Sequence, residues 1–311
     1  MIDIIFVNWN AGKLLKEAVV SIIEYHNNLV GKVIIVDNAS TDNSLEQVEA
    51  LSPLPFELKI IRNNDNRGFG AACNQGATEC TSEFILLLNP DARLYPDSLP
   101  TAYHYLHDHS DVGVCSIQLV EEGHVIQRTC ARFPTPKMLI IHSLGLNRLP
   151  FIDAKSYHMG DWDHQDTREV DHVIGAFYLI RRSLFEQLTG FDEERFFVYL
   201  EDLDLSYRVK QAGYKIVYLT EAQAFHEGGG TSSQVKATRL FYSLRSRMLY
   251  AFKHFSKPAA WGVFLTTMIW EPVIRILFAL LKGKTDDAKN TIDGYKMLWQ
   301  HAADILQGKG K

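Results

Sequence analysis

Residues 2–37 read IDIIFVNWNAGKLLKEAVVSIIEYHNNLVGKVIIVD, and their pattern sets the fold class. Ile2 to Val7 is a nearly continuous apolar run of the kind a strand shows when both its faces are covered. Leu14 to Tyr25 then repeats at helical spacing, and Val33 to Val36 is a second apolar run. The alternation continues through a helical stretch from Ser44 to Leu51, a strand from Leu58 to Ile61, a helix from Ala71 to Glu79 and a strand from Phe84 to Leu88. It predicts an α/β fold with a mostly parallel central sheet covered on both faces. Ligands of such sheets sit beyond the carboxyl ends of the strands. The residues to examine are therefore Asn8 and Asn10, Asp37 to Asp42, Asn63 to Arg67, and Asn89 to Asp91.

Further along, Val112 to Val120 reads as a strand and Glu121 to His124 as a hairpin turn. Residues 134–168 lack clear periodicity and are expected to form a loop or an excursion on the acceptor side. A strand is expected over Val170 to Ile180 and a helix over Ser183 to Leu188. A second helix carries Leu203, Leu205, Val209 and Ala212 and ends at Gly213. Tyr214 to Leu219 reads as a strand, and from Val235 onward the chain turns helical and apolar.

The whole chain has 311 residues, 46% hydrophobic and 22% charged, with a net charge of -5. That balance suits a globular enzyme or binding protein and gives no reason to expect a nucleic-acid partner. The amino terminus has no basic region before its apolar run and reads as a strand, not a signal peptide. Cys73, Cys80, Cys115 and Cys130 contain no CxxC pair, which argues against a zinc site or disulfide framework and for a cytoplasmic setting.

Five constellations stand out, four of them after strands. Val36-Asp37-Asn38-Ala39-Ser40-Thr41-Asp42 offers a carboxylate to a base or ribose, or equally a helix cap. Asn63 to Asn74 holds Asn66, Arg67, Gly68 and Gly70. The glycines admit close approach, the following helix start favours phosphate and Arg67 suits a diphosphate; a plain glycine turn is the alternative. A nicotinamide fingerprint is weakly supported, because Cys73 stands at the third glycine position. Leu86-Leu87-Leu88-Asn89-Pro90-Asp91 ends an apolar strand in an oxygen ligand suited to Mg²⁺ or Mn²⁺, or in a turn. Glu201, Asp202 and Asp204 cluster at a helix start, either as a general base or as an acidic first turn. His226 follows another strand beside Gly228-Gly229-Gly230-Thr231 and is either hydrogen-bonded or a nitrogen ligand to the same metal. No nucleophile elbow, P-loop or HExxH helix is present.

Read in order, these residues resemble glycosyltransferase family 2, in its bacterial rhamnosyltransferase-like branch. The resemblance rests on Val7-Asn8-Trp9-Asn10, Val36 to Asp42, Asn66-Arg67-Gly68-Phe69-Gly70, Asn89-Pro90-Asp91-Ala92, Gly175-Ala176, Gly190-Phe191-Asp192-Glu193 and Tyr199 to Asp204, and it covers roughly residues 1–255. It implies a GT-A nucleotide-sugar-binding fold. Asp37 would contact the base, with Asn8, Asn10, Asn38, Asn66, Arg67, Gly68 and Asn89 on the donor side. Asp91 would hold a divalent metal, His226 matches the late histidine that some relatives place on it, and Asp202 would be the catalytic base, with Glu201 and Asp204 as alternatives. One departure is Asn89, which stands at the first acidic position of the family's DxD motif and brings no charge to the metal.

The resemblance implies inverting transfer from a nucleotide-diphosphate sugar, dTDP-rhamnose as first choice, to a saccharide or lipid-linked oligosaccharide in bacterial surface-polysaccharide synthesis. A UDP-hexose transferase and a catalytically inactive nucleotide-sugar-binding scaffold are the alternatives. Residues 1–235 are expected to form the catalytic domain, with a donor half over about 1–120 and an acceptor half over about 121–235. Residues 236–311 are expected to form a helical appendage. Within it Ala259 to Leu281 is long enough to span a bilayer, yet Glu271, Pro272 and Arg275 interrupt it. A helix lying on the cytoplasmic face of the inner membrane, a packing helix and a subunit interface are all admitted.

Overall fold

The computed structural model describes residues 1–149, 157–228 and 236–310. They fall into two compact units, one formed by Met1–Arg132, Trp162–Asp192 and Asp202–Thr231, the other by Phe133–Asp161, Glu193–Glu201 and Ser232–Lys311. Gly229 to Thr231 of the expected glycine-rich loop, and Val235, lie outside the described residues.

The first unit holds strands β1 (Ile2–Asn8), β2 (Val30–Asp37), β3 (Glu57–Arg62), β4 (Phe84–Leu88), β5 (Ala92–Leu94), β6 (Val112–Val120), β7 (Cys130–Ala131), β8 (Arg168–Val170), β9 (His172–Val173), β10 (Phe177–Arg181) and β11 (Lys215–His226). Its helices are α1 (Lys13–Tyr25), α2 (Ser44–Glu49), α3 (Phe69–Ala77), α4 (Ser98–Asp108), α6 (Arg182–Gln187) and most of α7 (Glu201–Gln211), while α5 (Pro136–Ser143) belongs to the second unit. The main sheet runs β3-β2-β1-β4-β10-β6-β11-β5, with β8 beside β11, and β7 pairs β9 apart from it. The first four strands are parallel, β10 is antiparallel between β4 and β6, and β11 runs parallel to β6.

Apolar alternation places Ile4, Phe6, Val33, Ile35, Leu86 and Leu88 in one core with Leu15, Ala18, Val19 and Ile22 of α1. Those helix positions recur at three- and one-residue steps, which is one face of an α-helix. At the opposite strand ends the buried Asp3 carboxylate accepts hydrogen bonds from the backbone N–H groups of Lys32, Thr81 and Ser82 and from the Ser82 hydroxyl.

Two expectations need correcting. The run Val170 to Ile180 is three short strands: β8 pairs β11, β9 pairs β7 and β10 enters the main sheet. Asp171 and Gly175 stand at the breaks, where one chain changes partners. The stretch 134–168, read as loop, contains α5, which starts at Pro136 with the Thr135 hydroxyl accepting from the Met138 N–H. Proline is pre-set for the first helical position and threonine caps it.

The second unit is helical. Besides α5 it holds α8 (Lys236–His254), α9 (Lys257–Leu265), α10 (Glu271–Leu281), α11 (Thr285–Gln300) and α12 (Ala302–Leu306). A π-turn over Thr266–Trp270 joins α9 to α10. Pro272 explains it: proline has no N–H to give the Met268 carbonyl four residues earlier. The indole N–H of Trp299 donates to that carbonyl instead, at 3.2 Å. The buried Glu271 carboxylate pairs with Arg247 of α8, and with Arg275 at 2.8 Å. Burial alone would raise its pKa, but the two guanidinium groups bring it down from 4.5 to about 2.

Candidate functional site

Register sets the strand ends level, since Asn8 lies opposite Asp37 and Asp37 opposite Arg62. The first two sequence clusters therefore meet. The buried Asn8 amide donates to Asp37 Oδ1 at 2.7 Å, Ser44 Oγ at 2.8 Å and Ser40 Oγ at 3.1 Å. Asp37 Oδ2 accepts from the Ser40 N–H at 3.1 Å. Asn10 sits at φ 53 and accepts from the Thr41 N–H. Helix α2 begins at Ser44 with Asn43 before it, so Asp37 acts as a turn acceptor rather than as the helix cap. Asn38 joins the second cluster to the third by donating to the Gly68 carbonyl at 3.2 Å and accepting from Asn63 at 3.0 Å. Asn66 accepts from the Gly68 N–H, and Gly68, at φ 87 and ψ 170, occupies backbone space that only glycine enters easily. Arg67 is half-buried between them at the start of α3.

The end of β4 and the end of β11 make the next meeting. Antiparallel pairing places His226 opposite Ala92, which brings its Nε2 to 3.4 Å from Asp91 Oδ1. Both side chains are largely buried. Asn89 Nδ2 lies 3.4 Å from the same ring nitrogen. On the far side of the ring, Nδ1 is 2.7 Å from Gln127 Oε1, while Gln127 Nε2 donates to the His226 carbonyl at 2.9 Å and to Glu121 at 3.1 Å. The two amide donations fix the Gln127 oxygen toward the imidazole, so Nδ1 donates to it, and whenever the ring is neutral its Nε2 turns a lone pair toward Asp91. Two acceptors then face each other, an arrangement completed by a proton or a cation. Burial by itself would raise the Asp91 carboxyl, but the hydrogen bond and charge that His226 supplies when protonated, with the backbone N–H groups of Asp91 and Gly228, hold it below the usual carboxylate value. Among the described residues no three His, Cys, Asp or Glu side chains gather. The pair fits a hard cation that draws its remaining oxygens from phosphates and water.

Asp202 stands next to this end of the sheet. The Asn89 N–H donates to the Ala176 carbonyl at 3.0 Å, and the preceding residue, Gly175, donates its N–H to Asp202 Oδ2 at 3.0 Å. Asp202 Oδ1 accepts from the Leu203 N–H at 2.8 Å. His172 Nε2 lies 3.8 Å from Oδ2, and its other nitrogen is 3.0 Å from Ser206 Oγ. Just before α7, Tyr199 and Leu200 both take left-handed φ values, 67 and 64. Consecutive non-glycine residues there are strained, a feature that gathers at working sites.

Asp204 is fully buried and bonded to Arg208 Nε at 2.9 Å. Arg208 in turn donates to the Leu188 and Gly190 carbonyls. Gly190 has φ 64, and a Cβ there would lie 2.2 Å from Asn74 Oδ1, which receives the Phe191 N–H. The Gly190-Phe191 motif is thus clamped by Asp204 and Asn74. Glu201 is buried at the first turn of α7. Sequence reasoning missed Gln127 and His172, isolated residues whose roles depend on long-range pairing.

The sequence model of the family described as Glycosyl transferase family 2 matches residues 3–189. Among curated proteins, the chain is 25% identical over 234 residues to a low-salt glycan biosynthesis hexosyltransferase of Haloferax volcanii, covering 73% of this chain and 69% of that one. It is 27% identical to an O-antigen chain rhamnosyltransferase of Salmonella typhimurium (72% and 66% covered). It is 22% identical to an N-acetylglucosaminyl-diphospho-decaprenol L-rhamnosyltransferase of Mycobacterium tuberculosis (70% and 73%). Among solved structures, the mannosyltransferase PcManGT of Pyrobaculum calidifontis, in complex with GDP-Man and Mn²⁺, superposes with a TM-score of 0.56 at 17% identity, covering 98% of this chain and 86% of that one. TarS of S. aureus in complex with UDP-GlcNAc gives 0.57 at 16% identity, with 99% and 81% covered. These likenesses show that the chain shares the GT-A fold of those proteins. The family match takes in all four strand-end clusters, at residues 8–10, 37–42, 63–74 and 89–91, with their intervening elements, and on it the chain belongs to glycosyl transferase family 2.

Proposed function

We propose that the protein transfers L-rhamnose from dTDP-rhamnose, with inversion, to a hydroxyl of a lipid-linked oligosaccharide, at the cytoplasmic face of the membrane. Family membership makes glycosyl transfer from a nucleotide sugar the reaction. The choice of sugar and acceptor is supported by the rhamnosyltransferase relatives, one of which acts on a diphospho-decaprenol substrate. The observation that carries the reading is the chain of contacts from Asp91 through His226, Asn89 and Ala176 to Gly175 and Asp202. In this reading it brings the residues that would face the donor phosphates close to the proton acceptor at the start of α7.

In this reading Asp37, Asn8, Asn10 and Asn38 shape the nucleoside pocket, and Asn66, Arg67 and Gly68 border the diphosphate. Asp91 and His226 would hold a divalent cation, Mg²⁺ or Mn²⁺, whose charge offsets that developing on the departing nucleoside diphosphate. Gln127 keeps the His226 tautomer that leaves Nε2 as an acceptor. Asp202 accepts the proton of the attacking hydroxyl; its two backbone hydrogen bonds aim the carboxylate and leave lone pairs for that proton. One displacement inverts the anomeric centre without a protein nucleophile. Residues 1–235 would carry this chemistry, with the donor half before about 120.

Asp202→Asn tests the assignment. It keeps size and one of the two backbone hydrogen bonds but removes proton acceptance, so turnover falls about 10²- to 10⁴-fold with donor affinity near wild type. Near-wild-type turnover would pass the role to Glu201. A second reading, a non-catalytic nucleotide-sugar binder, draws on the Asn89 amide facing His226. Nucleoside diphosphate binding with no sugar transfer, metal and acceptor supplied, would favour it.

A further inference from the structure

The stretch Lys257–Leu281 is, among the described residues, the one helix long and apolar enough to cross a bilayer. Its two sides differ in a way the sequence does not show. Ala260, Val263, Phe264, Thr267, Met268, Glu271, Pro272 and Ala279 are buried within the helical unit. The other side presents Trp261, Leu265, Ile269, Val273 and Leu277, each four residues from the last, then Leu280 and Leu281, all exposed. A helix apolar on every side normally has cover on every side. Here one side has none within this unit.

Two features identify the cover. The first is aromatic. Three of the chain's five tryptophans lie along this surface, Trp261, Trp270 and Trp299 being 44%, 56% and 52% exposed. The Trp299 indole, bonded to the Met268 carbonyl, extends the patch from the π-turn onto α11, where Ile292 is also exposed. Tryptophan is the residue that favours the boundary between hydrocarbon and headgroups. The second is charge. Where the apolar stripe ends at Leu281, a groove of about 340 Å³ opens, lined by Lys236, Arg275, Lys282 and Lys284 with Asp287. Lys282 and Lys284 pair with no carboxylate among the described residues, and both are exposed. A basic groove beside an exposed apolar stripe matches an anionic lipid surface.

We infer that this helical unit binds flat on an anionic phospholipid bilayer, with the Trp261-to-Leu281 stripe in the interface and Lys282 and Lys284 on the phosphates. Spanning is disfavoured by Glu271. Its carboxylate is only 2% exposed and is locked to Arg247 and Arg275. A crossing helix would tear that triad apart or carry it into hydrocarbon.

The test needs no sugar transfer, so its result stands apart from that of the proposed reaction. The full chain is mixed at low salt with vesicles of phosphatidylcholine alone or with phosphatidylglycerol. Wild type sediments with the anionic vesicles, its tryptophan emission shifts to the blue, and lipids brominated near the headgroup quench it. Ile269→Ser and Leu277→Ser each lower the partition coefficient about tenfold with an unchanged melting temperature, since both side chains are exposed in the free protein. Lys282→Gln with Lys284→Gln lowers anionic-vesicle binding about thirtyfold. Wild type that ignores anionic vesicles, or that binds them without bromolipid quenching, overturns the inference. So does a wild-type dimer that Leu277→Ser converts to monomer, because a second copy would then be the cover.

Discussion

Both oxygens of Asp37 are engaged inside the protein, one by the Asn8 amide and one by the Ser40 N–H. Its removal leaves buried polar groups unpaired and, in the proposed pocket, would cost the nucleoside a neighbour. Asp37→Ala should therefore lower stability by about 1–3 kcal/mol and weaken nucleoside diphosphate binding, read by thermal melts with and without ligand. Lowered stability with unchanged affinity would confine Asp37 to the turn. At the end of β4, Asp91→Ala and His226→Ala should both raise the divalent-ion concentration needed for activity. Gln127→Leu should do so by about 10- to 100-fold, because an unpinned imidazole no longer presents one nitrogen. Titration of activity with Mn²⁺ reads all three, and activity indifferent to a chelator would remove the shared cation. Asp91, His226 and Asp202 stood out as candidates in the sequence because each stands in a motif or at the end of an apolar run. Gln127 was not. A lone glutamine carries no signal until the chain folds a residue 99 positions away against it.

At the scale of elements, β1, β2 and β4 are plain in the sequence because each is largely buried and reads as a mostly apolar run, whereas the edge strand β3 is only half-buried and shows the shorter signal Leu58-Lys59-Ile60-Ile61. The run Val170 to Ile180 misleads for the same reason: apolarity records burial, not partner, and this run serves three pairings. Helix α5 was hidden by its prolines, although Thr135-Pro136 is a start signal. The apolar carboxyl-terminal helix shows what only packing reveals. Glu271 looks like an interruption of a span, yet it is the buried anchor of α10 on α8. Glu271→Gln should destabilise the helical unit by about 3–5 kcal/mol, since Arg247 loses its counter-charge in a buried place. The depressed carboxyl also sets a pH dependence. Its stabilisation is complete above the usual 4.5 and is lost as pH falls toward about 2. Acid should therefore cost wild type more helical stability than Glu271→Gln, followed by far-ultraviolet circular dichroism. Equal acid sensitivity of the two would contradict the assignment.

On the scale of the whole molecule, a parallel β3-β2-β1-β4 half sets its strand ends level, and β10 returns antiparallel beside β4. That return carries Gly175 and Ala176 to the end of β4 and joins Asn89 to Asp202. The ordered motifs made the fold legible; the reversal at β10 was not, because strand direction leaves no trace in a short apolar run. The account stands on one displacement at the anomeric carbon, with Asp202 as base. The measurement closest to it is proton NMR of the anomeric signal while the full chain acts on dTDP-rhamnose with Mn²⁺ and a diphospho-lipid-linked saccharide. The account predicts a single product of inverted configuration, formed by wild type and lost in Asp202→Asn. A product of retained configuration, or undiminished formation by Asp202→Asn, would contradict it.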